Sequence, residues 1–121
     1  MYDIHTYEPE PLQPEQKSDR VIVIGEYGGV GWPVQGHLWN PSMRNWGYQT
    51  YQDKDAYIAA LRKKIEALVP MMDKLGLSAA VYTQTTDVEG EVNGLLTYDR
   101  KVVKAEPALL RQLNAPLTGD K

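Results

Sequence analysis

The sequence predicts an α/β fold with parallel strands. Two apolar runs, Val21 to Ile24 and Leu77 to Thr85, are each followed by a loop, and each loop leads into a stretch with helical apolar spacing. The resulting order is strand, loop, helix, strand, loop, helix, which is typical of folds in which helices connect parallel strands. The chain has 121 residues, a length that suits one domain with a hydrophobic core.

The first strand, Val21 to Ile24, consists only of β-branched residues. Such a run predicts a strand that is buried on both faces, as in parallel sheets. Gly25 and Glu26 follow it directly, and parallel α/β folds keep their functional groups at the carboxyl ends of the strands. Because a carboxylate next to an apolar strand is desolvated, we expect Glu26 either to be catalytic or to be neutralised by an Arg or Lys.

The segments on either side of this strand are predicted to be loops. Residues 8–20 are polar and contain three prolines, so they form a connector after a further strand that ends near His5. Residues 28–51 contain five glycines and three tryptophans without a regular apolar period. Structureless segments of this length are uncommon in compact domains and are usually functional.

A helix is predicted from Asp53 to Gly76. Asp53 or Asp55 can cap its start, and Gly76 can adopt the left-handed conformation that ends a helix. Pro70 lacks the amide hydrogen that would bond to the preceding turn, so we expect a kink or a break between Leu68 and Pro70. The apolar residues at three- and four-residue steps are Tyr57, Leu61, Ile65, Leu68, Val69, Met72 and Leu75.

The second strand, Leu77 to Thr85, is also predicted to be buried and becomes polar toward its carboxyl end. It enters an acidic loop, Thr86 to Gly94, after which Leu95 to Tyr98 form a brief extended segment. Proline followed by leucines at helical spacing predicts a short terminal helix over Pro107 to Leu113. We interpret the chain as a single domain with four parts, 1–20, 21–52, 53–76 and 77–121.

The composition argues against several classes of partner and of functional site. Thirteen Lys and Arg against sixteen Asp and Glu give a net charge of −3, which offers no attraction for nucleic acid or an anionic membrane. The absence of cysteine excludes thiolate chemistry, and no apolar window approaches the roughly 20 residues of a membrane span. The two histidines lack a partner at metal-ligand spacing, and the calcium-loop pattern fails from Asp87 and from Glu89. We therefore expect no nucleic acid, membrane, metal or cofactor.

Several short motifs occur together in this chain. They are Gly25-Glu26-Tyr27-Gly28-Gly29, Gly36-His37-Leu38-Trp39, and the stretch from Ala80 to Glu89 with Glu91, Asn93-Gly94 and Tyr98-Asp99. Together they resemble the last part of the catalytic barrel of glycoside hydrolase family 2, the family of β-galactosidases, β-glucuronidases and β-mannosidases. The opening Asp3 to Pro9 resembles the end of the preceding barrel strand, so the resemblance runs from residue 2 to about residue 104.

The resemblance implies a retaining β-glycosidase, β-galactosidase-like, in which Glu26 matches the catalytic nucleophile at the end of the seventh barrel strand. The acid/base of that family is a glutamate that follows an asparagine, and this chain contains no such pair. The chain then corresponds to the last third of a TIM (β/α)8 barrel, which needs roughly 250 residues when complete. Since retaining chemistry requires two carboxyl groups about 5 Å apart, we expect the isolated chain to be inactive.

The position of Glu26 at the carboxyl edge of the sheet indicates which other residues could supply a second carboxylate and which could contact a sugar. Asp87, Glu89 and Glu91 come after the second strand and share its edge with Glu26, so they are candidates to stand in; alternatively, they are solvated charges or anchors of the turn. The aromatic loop either stacks on a pyranose or forms a small core of its own. The residues expected to bind substrate are His5, Tyr27, His37, Trp39, Gln84 and Asp87.

Two other functions remain open from the sequence. The chain is either a remnant without catalysis that retains weak carbohydrate binding, or an α/β module for association. Two βα units leave sheet edges and apolar strand faces uncovered, so we expect a homo-oligomer or a complex with the missing half of the barrel.

Overall fold

The computed structural model describes residues 1–10, 14 and 19–119. The elements in these residues are β1 (Tyr2–Thr6), β2 (Ile22–Gly28), β3 (Val30–Gly31), β4 (Gln49–Thr50), α1 (Lys54–Glu66), α2 (Leu68–Leu75), β5 (Leu77–Thr83) and α3 (Pro107–Thr118). Strands β1, β2 and β5 form a parallel sheet in that order, and β3 pairs with β4 in a second, two-stranded parallel sheet. The predicted α/β class with parallel strands is confirmed. The connector predicted over 8–20 lies largely outside the described residues.

The long helix divides where the sequence predicts a break. The Asp53 carboxylate caps α1 by accepting the Ala56 amide at 2.9 Å, and α1 ends before Ala67. Pro70 then falls in the first turn of α2, where a helix does not need its amide hydrogen. Gly76 ends α2 with a φ of 73°, as predicted. No helix in the described part of the chain is long and apolar enough to cross a membrane.

The helices cover one face of the three-stranded sheet. Ile22 and Ile24 of β2 are buried and pack against the apolar sides of α1 and α2. Val21, just before β2, and Val81 of β5 are each more than half exposed. The predictions that Val21 to Ile24 are buried on both faces and that the second strand is buried are therefore wrong, because the described helices supply cover on one side only.

The boundaries of several elements differ from the sequence prediction. Strand β2 continues to Gly28, so Glu26 lies within the strand and not after it. Strand β5 ends at Thr83, and α3 continues to Thr118, well beyond Leu113. The brief extended segment after the acidic loop is seen as isolated bridges, in which Leu96 pairs with Thr86 and Val103.

The aromatic loop, residues 28–51, is ordered by backbone bonds to the following loop. The Trp46 amide donates to the Gly90 carbonyl at 2.8 Å, and the Val92 amide donates to the Trp46 carbonyl at 2.7 Å. Within the loop, β3 and β4 approach so closely that a Cβ on Gly31 would lie 2.9 Å from the Cα of Gly47. The sequence showed no strand period here because glycines and backbone pairing carry the structure.

Tyr57 provides a test of the core. Its side chain is fully buried beside Trp32, and its hydroxyl has no hydrogen-bond partner among the residues that the structure describes. We expect Tyr57→Phe to leave the free energy of unfolding unchanged or to raise it by up to about 1 kcal/mol, because it removes an unsatisfied polar group. Tyr57→Ala should lower it by about 3–5 kcal/mol through the cavity it creates. Urea unfolding of both variants measures this, and a large loss in Tyr57→Phe would contradict it.

Candidate functional site: the carboxyl edge of the parallel sheet

The carboxyl ends of β1, β2 and β5 lie at one edge of the sheet because the three strands are parallel. This edge brings together Tyr7, which follows β1, Glu26 near the end of β2, and Thr83 at the end of β5. Tyr48 of the aromatic loop joins them through its ring contact with Tyr7. The four residues are referred to below as the edge cluster.

A bulge at Gly25 decides which way Glu26 points. Ile4 pairs with Ile24, but His5 pairs with Glu26, so β2 contains one extra residue at Gly25 relative to β1. The pairing with β5 is irregular over the same stretch of β2. Since side chains alternate along a strand, regular pairing would direct Glu26 toward the helices, whereas the extra residue turns it to the open face.

The Gly25 bulge is held by Asp3 of the neighbouring strand. The Asp3 carboxylate accepts the Gly25 amide at 2.8 Å. A Cβ at Gly25 would lie 2.4 Å from the same carboxylate oxygen, so glycine fits this contact where a side chain would crowd it. Tyr27, the next residue after Glu26, returns to the helix side and is 3% exposed. Tyr27, which was expected to contact a sugar, instead packs in the core.

Glu26 is partly exposed and has two partners among the described residues. The Tyr7 hydroxyl donates a hydrogen bond to Glu26 Oε2. His5 Nδ1 lies 3.6 Å from the same oxygen, and His5 Nε2 lies 3.3 Å from Asp3 Oδ2. The expectation of an Arg or Lys partner is not met in the described residues. Solvent, a phenol and an imidazole stabilise the carboxylate instead.

Tyr7 is fixed by stacking as well as by hydrogen bonding. Its ring lies on that of Tyr48 with centroids 3.7 Å apart and planes within 6°, and Tyr48 meets Trp46 edge-on at 5.7 Å. Burial, together with the hydrogen bond to Glu26, raises the pKa of the Tyr7 hydroxyl to about 12. The hydroxyl therefore remains a protonated donor toward Glu26 across neutral pH.

A second polar cluster joins the tip of the aromatic loop to the last loop. His37 Nδ1 lies 2.8 Å from Asp99 Oδ2, and the Thr97 hydroxyl donates to Asp99 Oδ1 at 2.6 Å. The hydrogen bonds from Thr97 and from His37 hold the pKa of the Asp99 carboxyl well below its usual range. Beside this pair, Trp39 is 59% exposed and meets Tyr98 edge-on at 5.6 Å. The rings of Trp39 and Tyr98 therefore leave a broad aromatic face in solvent.

Asp87 is held inside the acidic loop. Lys104 Nζ lies 2.8 Å from Asp87 Oδ1, and both side chains are almost completely buried. The same carboxylate oxygen accepts the Gly94 amide at 2.8 Å. Asp87, which was expected to bind substrate, instead anchors the turn, the alternative that the sequence left open. Gln84 is also engaged internally, since its amide donates to Asn93 Oδ1 at 2.7 Å.

Three important residues were not identified from the sequence. Tyr7 lies in a segment without a local pattern, and its role depends on long-range contacts. Lys104 is buried because its ammonium bonds the Trp32 and Val92 carbonyls as well as Asp87. Lys64 had a visible signal, since it falls on the apolar stripe of α1 between Leu61 and Leu68, where a charged residue is unusual.

Comparisons with known proteins add no assignment. No protein-family model matches the chain, and a search of curated proteins gave no significant match. Over residues 1–10, 14 and 19–119, no three side chains from His, Asp and Glu gather as a metal site would require.

Gly29 provides a test of the stacked pair. Gly29 and Gly36 both have positive φ, at 67° and 86°, but a Cβ at Gly29 would lie 2.7 Å from the rings of Tyr7 and Tyr48, whereas none lies within 4 Å at Gly36. We expect Gly36→Ala to cost about 1–2 kcal/mol of unfolding free energy from backbone strain alone. Gly29→Ala should cost at least about 1 kcal/mol more. Equal losses in urea unfolding would contradict the packing described for the stack.

The lowered pKa of Asp99 predicts a dependence of stability on pH. A carboxyl whose pKa is lower in the folded state adds stability above its unfolded pKa of about 4, and this is lost as the pH falls below that value. Asp99→Asn should therefore be less stable than the native chain at neutral pH, and the difference should shrink under acid conditions. Unfolding measured from neutral pH to about pH 3 tests this, and a difference independent of pH would contradict it.

Proposed function

We propose that this chain supplies the nucleophile side of a retaining β-glycosidase, with Glu26 as the nucleophile. The observation that carries the proposal is the Tyr7–Glu26 pair at the carboxyl edge of a parallel sheet, on the face that the helices leave open. The resemblance of the Glu26, His37–Trp39 and Asp87–Glu91 motifs to glycoside hydrolase family 2 supports the same reading.

The chemistry requires a carboxylate that can attack an anomeric carbon. In a retaining mechanism, the nucleophile forms a glycosyl–enzyme ester while an acid protonates the leaving oxygen, and water later cleaves the ester. Tyr7 hydrogen-bonds to Oε2 of Glu26 and so fixes the orientation of the carboxylate. Such positioning lowers the entropic cost of attack. Asp87 does not serve as the acid/base, since it is paired with Lys104, and the Asn-Glu pair that carries the acid/base in glycoside hydrolase family 2 is absent from the sequence.

The fold is proposed to be the last third of a (β/α)8 barrel. Three neighbouring parallel strands with helices on one face are consistent with such a slice. In a barrel, the other face of each strand points to the interior and is packed by side chains from the remaining strands. Val81 of β5 and Val21, which lies just before the amino end of β2, are both exposed. Their exposure supports a partner on the open side, either the missing part of a barrel or a second copy of this chain.

Sugar recognition is assigned to the aromatic loop and the groups near it. Trp39 with Tyr98 and Tyr48 with Trp46 offer ring faces suited to the C–H face of a pyranose. His5 and His37 can hydrogen-bond to hydroxyl groups. The proposed partner is therefore a β-glycoside, with no cofactor.

The proposal can be tested with a mechanism-based label, a glycoside that forms the glycosyl–enzyme ester without help from a general acid. A dinitrophenyl β-glycoside with fluorine on the carbon next to the anomeric centre has a leaving group that departs unprotonated, and the fluorine slows hydrolysis of the ester. We expect intact mass spectrometry to show one glycosyl group per chain, and peptide mapping to place it on Glu26. Ordinary alkyl glycosides should not be hydrolysed, because their cleavage needs the missing acid.

Two variants make the labelling result specific. Glu26→Gln should abolish the label, whereas Glu66→Gln, which removes an exposed carboxylate on α1, should leave it unchanged. A label on Asp87, Glu89 or Glu91 would contradict the assignment of the nucleophile. Absence of any label from a folded sample would contradict catalysis and favour the second candidate.

The second candidate is a non-catalytic module that associates through its sheet and binds carbohydrate weakly at most. The exposed Val21 and Val81 favour it, as does the outer edge of β5, which pairs with no further strand in the described sheet. Such edges pair readily with another strand. Light scattering on the unlabelled sample tests this candidate, because the module requires an oligomer and a monomer would contradict it, whereas labelling by Glu26 is compatible with either state.

A further inference from the structure

Lys64 is a buried ammonium group beneath the edge cluster. It lies on α1 at 1% exposure, and its Nζ donates to the Tyr7 carbonyl at 3.1 Å, to Gln49 Oε1 at 2.6 Å and to the Gly28 carbonyl. An ammonium has three donors, and all three are used. No carboxylate lies within ion-pair distance of Lys64 in the described part of the chain, so oxygens of neutral groups replace its solvent.

The three acceptors belong to the three segments that build the edge cluster. Tyr7 carries the hydroxyl that bonds Glu26, and Gly28 lies two residues after Glu26 on β2. Gln49 is next to Tyr48, and its amide also donates to the Tyr7 carbonyl. One ammonium therefore sets the backbone separation of the segments that present the phenol, the carboxylate and the stacking ring.

We propose that Lys64 is a positioning residue, whose ammonium holds Tyr7 and β2 at the separation that keeps the Tyr7 hydroxyl on Glu26. This inference rests on the proposed role of Glu26 as nucleophile. Lys64 acts through the backbone and does not touch the reacting atoms.

The cost of burying this ammonium supports a specific role. Burial lowers the pKa of Lys64 to about 8, so the ammonium is less stable here than in water, although the nearby charge of Glu8 partly compensates. An apolar side chain of similar length would complete the stripe of α1 between Leu61 and Leu68 without this penalty. What an apolar side chain cannot do is donate to the carbonyls of Tyr7 and Gly28.

The test replaces Lys64 with methionine, which is similar in length but has no donors, in the full chain. Lys63→Met is the matched control, because Lys63 is the neighbouring residue on α1 and its side chain is mostly exposed. Two readouts are compared at neutral pH: the NMR shifts of the Tyr7 ring protons, which stacking on Tyr48 moves upfield, and the labelling rate of Glu26 by the fluorinated dinitrophenyl glycoside.

In Lys64→Met, we expect the Tyr7 ring protons to lose their upfield shift and the labelling rate to fall about tenfold or more. Lys63→Met should change neither, and Lys64→Arg should recover part of both. A folded Lys64→Met with unchanged Tyr7 shifts would overturn the inference. If Lys64→Met fails to fold, Gln49→Leu removes one acceptor of the ammonium together with the Gln49 donor to the Tyr7 carbonyl, and it should move the Tyr7 shifts in the same direction; unchanged shifts would again overturn the inference.

The experiment distinguishes failure of the nucleophile role of Glu26 from failure of the positioning role of Lys64. If the native chain takes no label, the nucleophile role of Glu26 is lost, but the Tyr7 shifts still decide whether Lys64 positions the ring. If the native chain is labelled and Lys64→Met is labelled equally fast with unchanged shifts, Glu26 keeps its role and Lys64 loses its own.

Discussion

The bulge at Gly25 is the constraint on which the site depends. Strand β2 must bury Ile24 and Tyr27 under the helices, and regular alternation cannot bury both, because they are three residues apart. One extra residue resolves the conflict and leaves Glu26 on the open face, paired in register with His5. Asp3 fixes the bulge by accepting the Gly25 amide. The same bulge thus buries Tyr27 in the core and places the Glu26 carboxylate on the open face.

The edge cluster is supported from three directions. Tyr48 stacks on Tyr7 from the aromatic loop, Lys64 bonds the Tyr7 carbonyl from α1, and Thr83 lies beside Tyr7 at the end of β5. The loops are held in turn by the buried Lys104–Asp87 pair. Lys64, Lys104 and Asp87 therefore serve as internal supports, whereas the Glu26 side chain remains partly exposed.

Local patterns predicted the elements, and long-range contacts decided the site. Asp53, Pro70 and Gly76 act through backbone chemistry within a few residues, so the cap, the break and the end of the helix were all predictable. The direction of Tyr27 was not, because it depends on a bulge defined by pairing with β1 and β5. The burial of Asp87 depends on Lys104, seventeen residues away. Placing Glu26 at the carboxyl edge needed only strand order, and the structure agrees.

The most direct test of this account is to determine which side of the sheet Glu26 faces in solution. Proton NOE measurements on a chain with isotope-labelled glutamate report the neighbours of its side chain. With the bulge at Gly25, we expect contacts from the Glu26 side chain to the rings of His5 and Tyr7. Contacts to Leu61 or Ile65 of α1 would show that β2 has no bulge at Gly25, and would contradict both the site and the function proposed for it.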